Sequence, residues 1–291
     1  MSNARKRIVI LGPTASGKTE KAAHISRKLN TCVISVDSRQ CYKHLDIGTA
    51  KPSEALLKQV EHHYISEIEP GVHETAMDFR RRCDEWESKY PPDQPIVYAG
   101  GSTLYLQAVL FDEDEIPSSD PDNIGYLKKE EKEYGISTLY DRLKDADPQY
   151  ADKMDGMNRH RIFRALDVYM QTGKPFSSFQ TTDYSKPRVG FEVYGIFPER
   201  NVLYERINQR VDKMIDAGLV DEVKQILKNY PPDLKALQTV GYREVIAYLN
   251  GAYEFDEMVE KIKTNTRRYA KRQLTWFRRW QFIRDIEDLE V

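Results

Sequence analysis

Cysteine is scarce, with only Cys32, Cys41 and Cys83 in 291 residues. The number is odd and the spacings are not those of metal ligands, which excludes a disulfide framework and a cysteine-held zinc. A reducing, cytoplasmic setting is expected. Long apolar runs are also missing. No stretch approaches the ~20 residues of a membrane span, so no membrane partner is expected. Residues 8–11 are too short for a secretory signal core and run straight into Gly12-Pro13. There is no internal repeat or low-complexity segment. Acid is absent from one long stretch: residues 261–284 carry nine Lys and Arg and no Asp or Glu, within a chain of formal charge −2. The overall charge predicts no polyanion partner, whereas this local stretch does.

Residues 6–11 (KRIVIL), 31–36 (TCVISV), 95–99 (PIVYA) and 191–197 (FEVYGIF) read as short apolar strands. Residues 20–29 and 76–90 read as helices between them. This alternation predicts an α/β fold, a parallel sheet with helices on both faces. From 112 to 187 strand-like runs disappear, and apolar residues recur at helical spacing, as at Leu139 and Leu143 or Ile162, Leu166 and Tyr169. We therefore expect residues 1–111 and 188–291 to form the core and residues 112–187 a helical insertion domain. Beyond 199 the chain reads as helical, broken at Pro231-Pro232 and Asn250-Gly251.

Gly12, Pro13, Thr14, Ala15, Ser16, Gly17, Lys18 and Thr19 spell G-x-x-x-x-G-K-[ST], between a strand and a helix. Glycines let successive backbone N–H groups converge on phosphate oxygens, Lys18 adds a point charge, and Thr19 is placed to ligate Mg²⁺. A nucleoside triphosphate is the default ligand, yet no strand delivers the Asp of a nucleotidase beside the third strand. Instead the second strand ends at Asp37. A carboxylate there sits where such sheets bind ligands, and it can serve a metal, act as a general base, or simply shape a turn.

Further along, the residues become familiar. The phosphate loop, then 34–42 (ISVDSRQCY), 46–52 (DIGTAKP), 100–105 (GGSTLY), 161–168 (RIFRALDV), 240–244 (VGYRE) and 266–278 (TRRYAKRQLTWFR), resemble in order the bacterial tRNA dimethylallyltransferase (IPP transferase) family. The resemblance spans nearly the whole chain. It implies a P-loop NTPase-like core, Mg²⁺ as cofactor, and transfer of a dimethylallyl group from dimethylallyl diphosphate to N6 of adenosine 37 in the tRNA anticodon stem-loop. Diphosphate leaves, so no γ-phosphate is handled and the missing carboxylate is explained. It further implies that Asp37, Lys18 and Ser102 are catalytic, with Ser102 replacing a common Thr. Gly12 to Thr19 and Arg210 hold the diphosphate. tRNA contacts fall to Asp37, Ser38, Arg39, Gln40, His160, Arg161, Ile162, Phe163, Arg164, Gly241, Tyr242, Arg243, Lys271, Arg272, Gln273, Trp276 and Arg278. His160 stands where relatives commonly have Gln. A monomer of bacterial type is expected, without the zinc-finger extension of eukaryotic relatives.

On the residues alone, Arg267, Arg268, Lys271, Arg272, Arg278 and Arg279 suit RNA phosphates, and interleaved aromatics can stack on splayed bases. Trp276 and Phe277 are expected to pack inward, as large aromatics usually do. Three other functions remain in view. They are a small-metabolite kinase, an enzyme that prenylates free adenine nucleotides, and a non-catalytic RNA-binding module. The basic tail and 46–52 weigh against the first, the length and tail against the second, and intact Lys18 and Asp37 against the third.

Overall fold

The structure is a computed structural model that describes residues 5–112 and 114–290. Residues 1–4 and 291, at the limits of the expected core domain, and Glu113 lie outside the described residues. The β-strands are β1 (Arg7–Leu11), β2 (Val33–Val36), β3 (His62–His63), β4 (Ile96–Gly100), β5 (Phe191–Gly195) and β6 (Arg284–Asp285). They form one six-stranded sheet of order β3-β2-β4-β1-β5-β6, with every pairing parallel. In β1, Ile8 to Leu11 are all buried, because a central parallel strand is covered on both faces. Val9 and Leu11 face one layer, with Ile34, Val36 and Tyr98. Ile8 and Ile10 face the other, with Val33, Val97 and three residues of helix α1 (Lys18–Leu29), Ala22, Ala23 and Ile25.

Next along the chain in this unit come the helices α2 (Glu54–Gln59), α3 (Ala76–Glu87) and α4 (Thr103–Leu110). The two-residue edge strands β3 and β6 and the short α2 have no counterpart in the sequence reading. A two-residue strand contains no alternation to detect.

Register places the functional end of the sheet. Leu11 pairs with both Gly100 and Gly195, and Val36 also pairs with Gly100. The carboxyl ends of β1, β2, β4 and β5 are therefore level, which is where open α/β sheets bind ligands. Gly100 is glycine for a packing reason: a Cβ there would lie 2.0 Å from the Val36 carbonyl oxygen.

A second unit comprises residues 112–183, and residues from Tyr184 onward belong with the sheet. It is helical, with α5 (Pro121–Tyr134), α6 (Ile136–Ala146), α7 (Pro148–Asp152) and α8 (Arg159–Thr172). Its core is Leu127, Leu139, Leu143, Ile162, Phe163 and Leu166. The fully buried Asp167 of α8 accepts bonds from Asn123 Nδ2 at 3.2 Å, Gln171 Nε2 at 2.8 Å and Arg164 Nη1 at 3.2 Å. The sheet unit closes with α9 (Arg200–Asp216), α10 (Leu219–Ile226), α11 (Tyr242–Leu249) and the 23-residue α12 (Phe255–Phe277), which packs on α9, α11 and α4.

Gly100→Ala is expected to destabilise the protein by on the order of 3 kcal/mol, since a methyl group cannot share space with the Val36 backbone. Gly125→Ala in α5, where an added Cβ meets nothing within 4 Å, should stabilise by ~0.5–1 kcal/mol. Thermal melts of the two variants check both signs.

Candidate active site

The phosphate loop runs from the end of β1 to the start of α1. A Cβ on Gly12 would meet the Ile196 carbonyl oxygen at 2.4 Å, so only glycine lets the loop leave the sheet here. Gly17 sits at φ 93°, the left-handed region, and opens α1. Ser16 is buried, and its Oγ has no hydrogen-bond partner. Lys18 Nζ folds back to donate to the Pro13 carbonyl at 2.7 Å. Burial, and then the nearby Arg210 cation, bring the Lys18 ammonium down to about 8, against the opposing pull of Asp37 and Glu20. Burial likewise works against the charge on Arg210. Two cations held partly desolvated beside one loop make a site that gains from a multiply charged anion.

This loop lines a cavity of about 810 Å³, together with Asp37, residues 49–53, Gly100, Gly101, Arg206, Arg210, Lys213 and Tyr269. A second cavity of about 320 Å³ is lined by Asp37, Ser38, Arg39, Gly241, Arg243, Thr266 and Arg272. Thr14, Asp37, Thr49, Ala50, Arg210 and Tyr269 border both. Asp37 therefore stands where a basic, phosphate-type cavity meets a smaller one. It also shapes a turn: Oδ1 accepts from Arg39 N at 2.8 Å and Gln40 N at 3.2 Å. Oδ2 takes no part in that turn. The turn and base readings of Asp37 thus describe different oxygens of one carboxylate.

The wall between the cavities is built from far away. Glu222 of α10 accepts from the backbone N–H of Asp46 (3.0 Å), Ile47 (2.7 Å) and Gly48 (3.1 Å), and from Tyr242 Oη (2.6 Å). This pins residues 46–52. Gln40 Nε2 then donates to the Thr49 and Ala50 carbonyls, each at 3.1 Å. Arg210 Nη1 donates to Thr14 Oγ1 at 3.1 Å, bridging α9 to the loop.

Several expected contacts are placed differently. Ser102 Oγ accepts from Ser38 N at 2.9 Å and borders neither cavity, so it latches the Asp37 turn. Tyr242 is fully buried, clasping Glu222 and lying under Gly48. Ile162 and Phe163 are buried in the helical unit, as apolar side chains tend to be. Arg164 is spent on Asp167 and the Pro117 carbonyl. Gln273 is only 4 % exposed, and its amide is engaged at both ends. Of these side chains only that of Arg164 is partly exposed.

Those left outward are Lys271, Arg272, Arg278 and Arg243 in the sheet unit, and His160 and Arg161 in the helical unit. Arg39 is half-buried and donates to the Lys235 carbonyl at 3.0 Å. Gly241, at φ 97°, opens α11, and its N–H is capped by Glu244 at 2.8 Å. Trp276 is half-buried against the core beneath Arg279, and Phe277 is buried. The nine-to-zero charge count overstated the free charge. Lys261 pairs with Glu257, Lys263 with Asp212 and Arg284 with Glu192.

Sequence reasoning missed Glu222 and Lys213, took Tyr269 only as one aromatic of the basic stretch, and preferred Arg210 to Arg206, four residues before it on one helix. Lys213 shares the α9 face of Arg210 at i+3, a spacing that was available to find it. Burial, then the Asp37 charge, pushes the Tyr269 phenol up to about 12, so it stays neutral and able to donate.

Among the described residues no group of three His, Cys, Asp or Glu could hold a metal. Mg²⁺ does not need one. It binds through one or two protein oxygens plus substrate phosphates and waters. Thr19 borders the same cavity as Lys18 and Asp37, so these residues fit a diphosphate-bound Mg²⁺.

The sequence profile of the IPP transferase family matches residues 40–280. The chain belongs to the IPP transferase family. Within that family, tRNA dimethylallyltransferase 2 of Geotalea daltonii is 40% identical over 97% of this chain and 87% of its own. tRNA dimethylallyltransferase of Thermosipho africanus is 42% identical, covering 98% and 94%. Among solved structures, the tRNA isopentenylpyrophosphate transferase of Bacillus halodurans aligns with TM-score 0.67 at 35% identity, over 96% of this chain and 88% of that one. A eukaryotic dimethylallyltransferase described as acting on tRNA aligns with TM-score 0.81 at 25% identity, over 94% and 70%. The all-parallel sheet with its phosphate loop, and its likeness to these structures, are consistent with a P-loop NTPase-like core. Among the described residues no helix is long and apolar enough to cross a membrane.

The depressed Lys18 pKa sets a pH dependence. Below about pH 8 Lys18 is charged in the free protein, and above it the charge is lost. Affinity for inorganic diphosphate should therefore fall as pH rises through that value. Lys18→Arg, whose guanidinium keeps its charge, should flatten the protein's share of the slope, and the difference removes the ligand's own titration. Calorimetric titrations from pH 6 to 10 test this, and identical slopes would contradict it.

Proposed function

We propose that this chain transfers a dimethylallyl group from dimethylallyl diphosphate to N6 of adenosine 37, beside the tRNA anticodon, and releases diphosphate. The observation that carries this reading is the position of Asp37, at the border of the basic phosphate-loop cavity and the second cavity by α11 and α12.

The chemistry follows from the residues. The loop amides, Lys18 and Arg210 hold the diphosphate and stabilise the charge that grows on it as the allylic C–O bond breaks. Arg206 and Lys213, exposed at the same cavity, add to that field. Mg²⁺, held by Thr19 and the diphosphate, would supply further positive charge to the leaving group. The N6 amine is a weak nucleophile, because its lone pair is delocalised into the ring. As the N6–C bond forms, Asp37 Oδ2 accepts the amine proton, which removes positive charge from nitrogen. Ser102 keeps Asp37 in place through the Ser38 amide. The adenine must leave its stack to reach this carboxylate, so base extrusion accompanies binding. Arg243, Lys271, Arg272 and Arg278 on the sheet unit, and His160 and Arg161 on the helical unit, supply cations and donors for RNA phosphates. The enzyme works as a monomer.

Labelled dimethylallyl diphosphate offered with unmodified tRNA, with AMP or with neither should place label in tRNA alone, without ATP consumption. Label in AMP would support the nucleotide-prenylating enzyme, and coupled ATP hydrolysis would support a kinase. Asp37→Ala should slow single-turnover transfer by ~10²–10⁴ with tRNA affinity little changed. An unchanged rate would remove Asp37 from the base role.

A further inference from the structure

Gln273 faces inward near the C-terminal end of α12, whose outer face is basic there. Its Oε1 accepts from the Thr14 backbone N–H at 2.9 Å, and its Nε2 donates to the Gly101 carbonyl at 2.8 Å. The orientation of the amide follows from its partners, since a backbone N–H only donates and a carbonyl only accepts. A Cβ on Gly101 would lie 2.4 Å from Gln273 Nε2, so the glycine is what admits this side chain. One residue of α12 thus joins the start of the phosphate loop to the end of β4. Thr14, the residue it grips, is also held by Arg210 through Oγ1. One turn earlier on α12, the exposed Tyr269 borders both cavities. Arg268, Lys271 and Arg272 lie outward on the same two turns.

We propose that Gln273 is a positioning residue that ties the RNA-facing helix to the phosphate loop, so that tRNA and diphosphate each tighten binding of the other. The proposal rests on the reading above only in taking the outer face of α12 as an RNA contact. Any RNA-induced ordering of α12 is carried through the buried Gln273 amide, bonded to Thr14 at one end and to Gly101 at the other. Ordering of the loop by diphosphate is carried back the same way. Such coupling is reciprocal by linkage. The chemical requirement is narrow: the end group must accept at one atom and donate at the other, and it must reach both. Glutamate would set a carboxylate oxygen against the Gly101 carbonyl and add negative charge beside the diphosphate. Asparagine is one methylene short. Methionine fills the volume without either bond.

The test is a set of calorimetric titrations on the full chain with Mg²⁺. Inorganic diphosphate and unmodified tRNA are titrated separately and each in the presence of the other. In the wild type, saturating diphosphate should raise tRNA affinity by ~5-fold or more. Gln273→Met should weaken diphosphate binding alone by ~10-fold, the loss of a buried hydrogen-bonded bridge. It should leave tRNA binding alone, and its salt slope, unchanged, and abolish the mutual enhancement. Gln273→Glu should weaken diphosphate further. Gln273→Asn should behave as Gln273→Met does, and it stands in if the latter fails to fold. Weaker tRNA binding in the absence of diphosphate would make Gln273 an RNA contact and overturn the proposal. So would enhancement that survives the substitution, or a wild type that shows none. The Arg268→Ala/Lys271→Ala double variant separates this from the RNA reading. It should lower the tRNA salt slope by ~0.7–0.9 per lost phosphate contact and leave diphosphate affinity unchanged. An unaltered slope there would move the RNA surface off α12, while the effect of Gln273 on diphosphate is read independently.

Discussion

The structure turns on an imbalance of charge at the phosphate loop. Arg210 is held close enough to Lys18 to work against its charge, and burial works against both cations. Asp37 and Glu20 offset this only in part. Locally, Lys18 rests on the Pro13 carbonyl and Arg210 on Thr14 Oγ1. A diphosphate resolves it at once, with several negative charges where two strained cations already point. The level ends of β1, β2, β4 and β5 make this possible, since they bring the loop, Asp37 and Gly100-Gly101 to one rim.

Around that rim the chain separates two tasks with hydrogen bonds rather than apolar packing. Glu222 takes three consecutive backbone N–H groups and the Tyr242 hydroxyl, so residues 46–52 stand as a wall without regular structure of their own. A carboxylate satisfied this fully is a strong anchor, because charge-assisted bonds to N–H groups are stronger than neutral ones. Asp37 and Tyr269 stand at the gap in that wall. A neutral phenol there can donate a hydrogen bond without adding charge beside the base.

What could be read from the sequence was local. The phosphate loop, the four longer strands and the helical texture of 112–187 depend on neighbours a few residues apart. Asp37 was legible from its place at the end of the second strand, whereas Arg210 came from the resemblance, since local pattern alone leaves it among many arginines. The long-range partners were invisible: Gln273 meets Thr14 across 259 residues and Glu222 meets Gly48 across 174. Motif membership also misled where it ignored side-chain chemistry. Ile162, Phe163 and Tyr242 lie in recognised blocks, but their apolar surface belongs inside. The acid-free tail misled for a related reason, since Asp212 and Glu192 reach Lys263 and Arg284 from outside the segment.

The central claim is that the phosphate loop holds a leaving group and does not transfer a phosphoryl group. Dimethylallyl diphosphate carrying a heavy oxygen isotope at the bridge between carbon and phosphorus decides this. Turnover with tRNA, followed by mass spectrometry of the released diphosphate, locates the broken bond. Alkyl transfer breaks the C–O bond, so the heavy isotope should leave entirely with diphosphate. Retention of the isotope on the organic product would mean that a P–O bond broke, and would contradict the account.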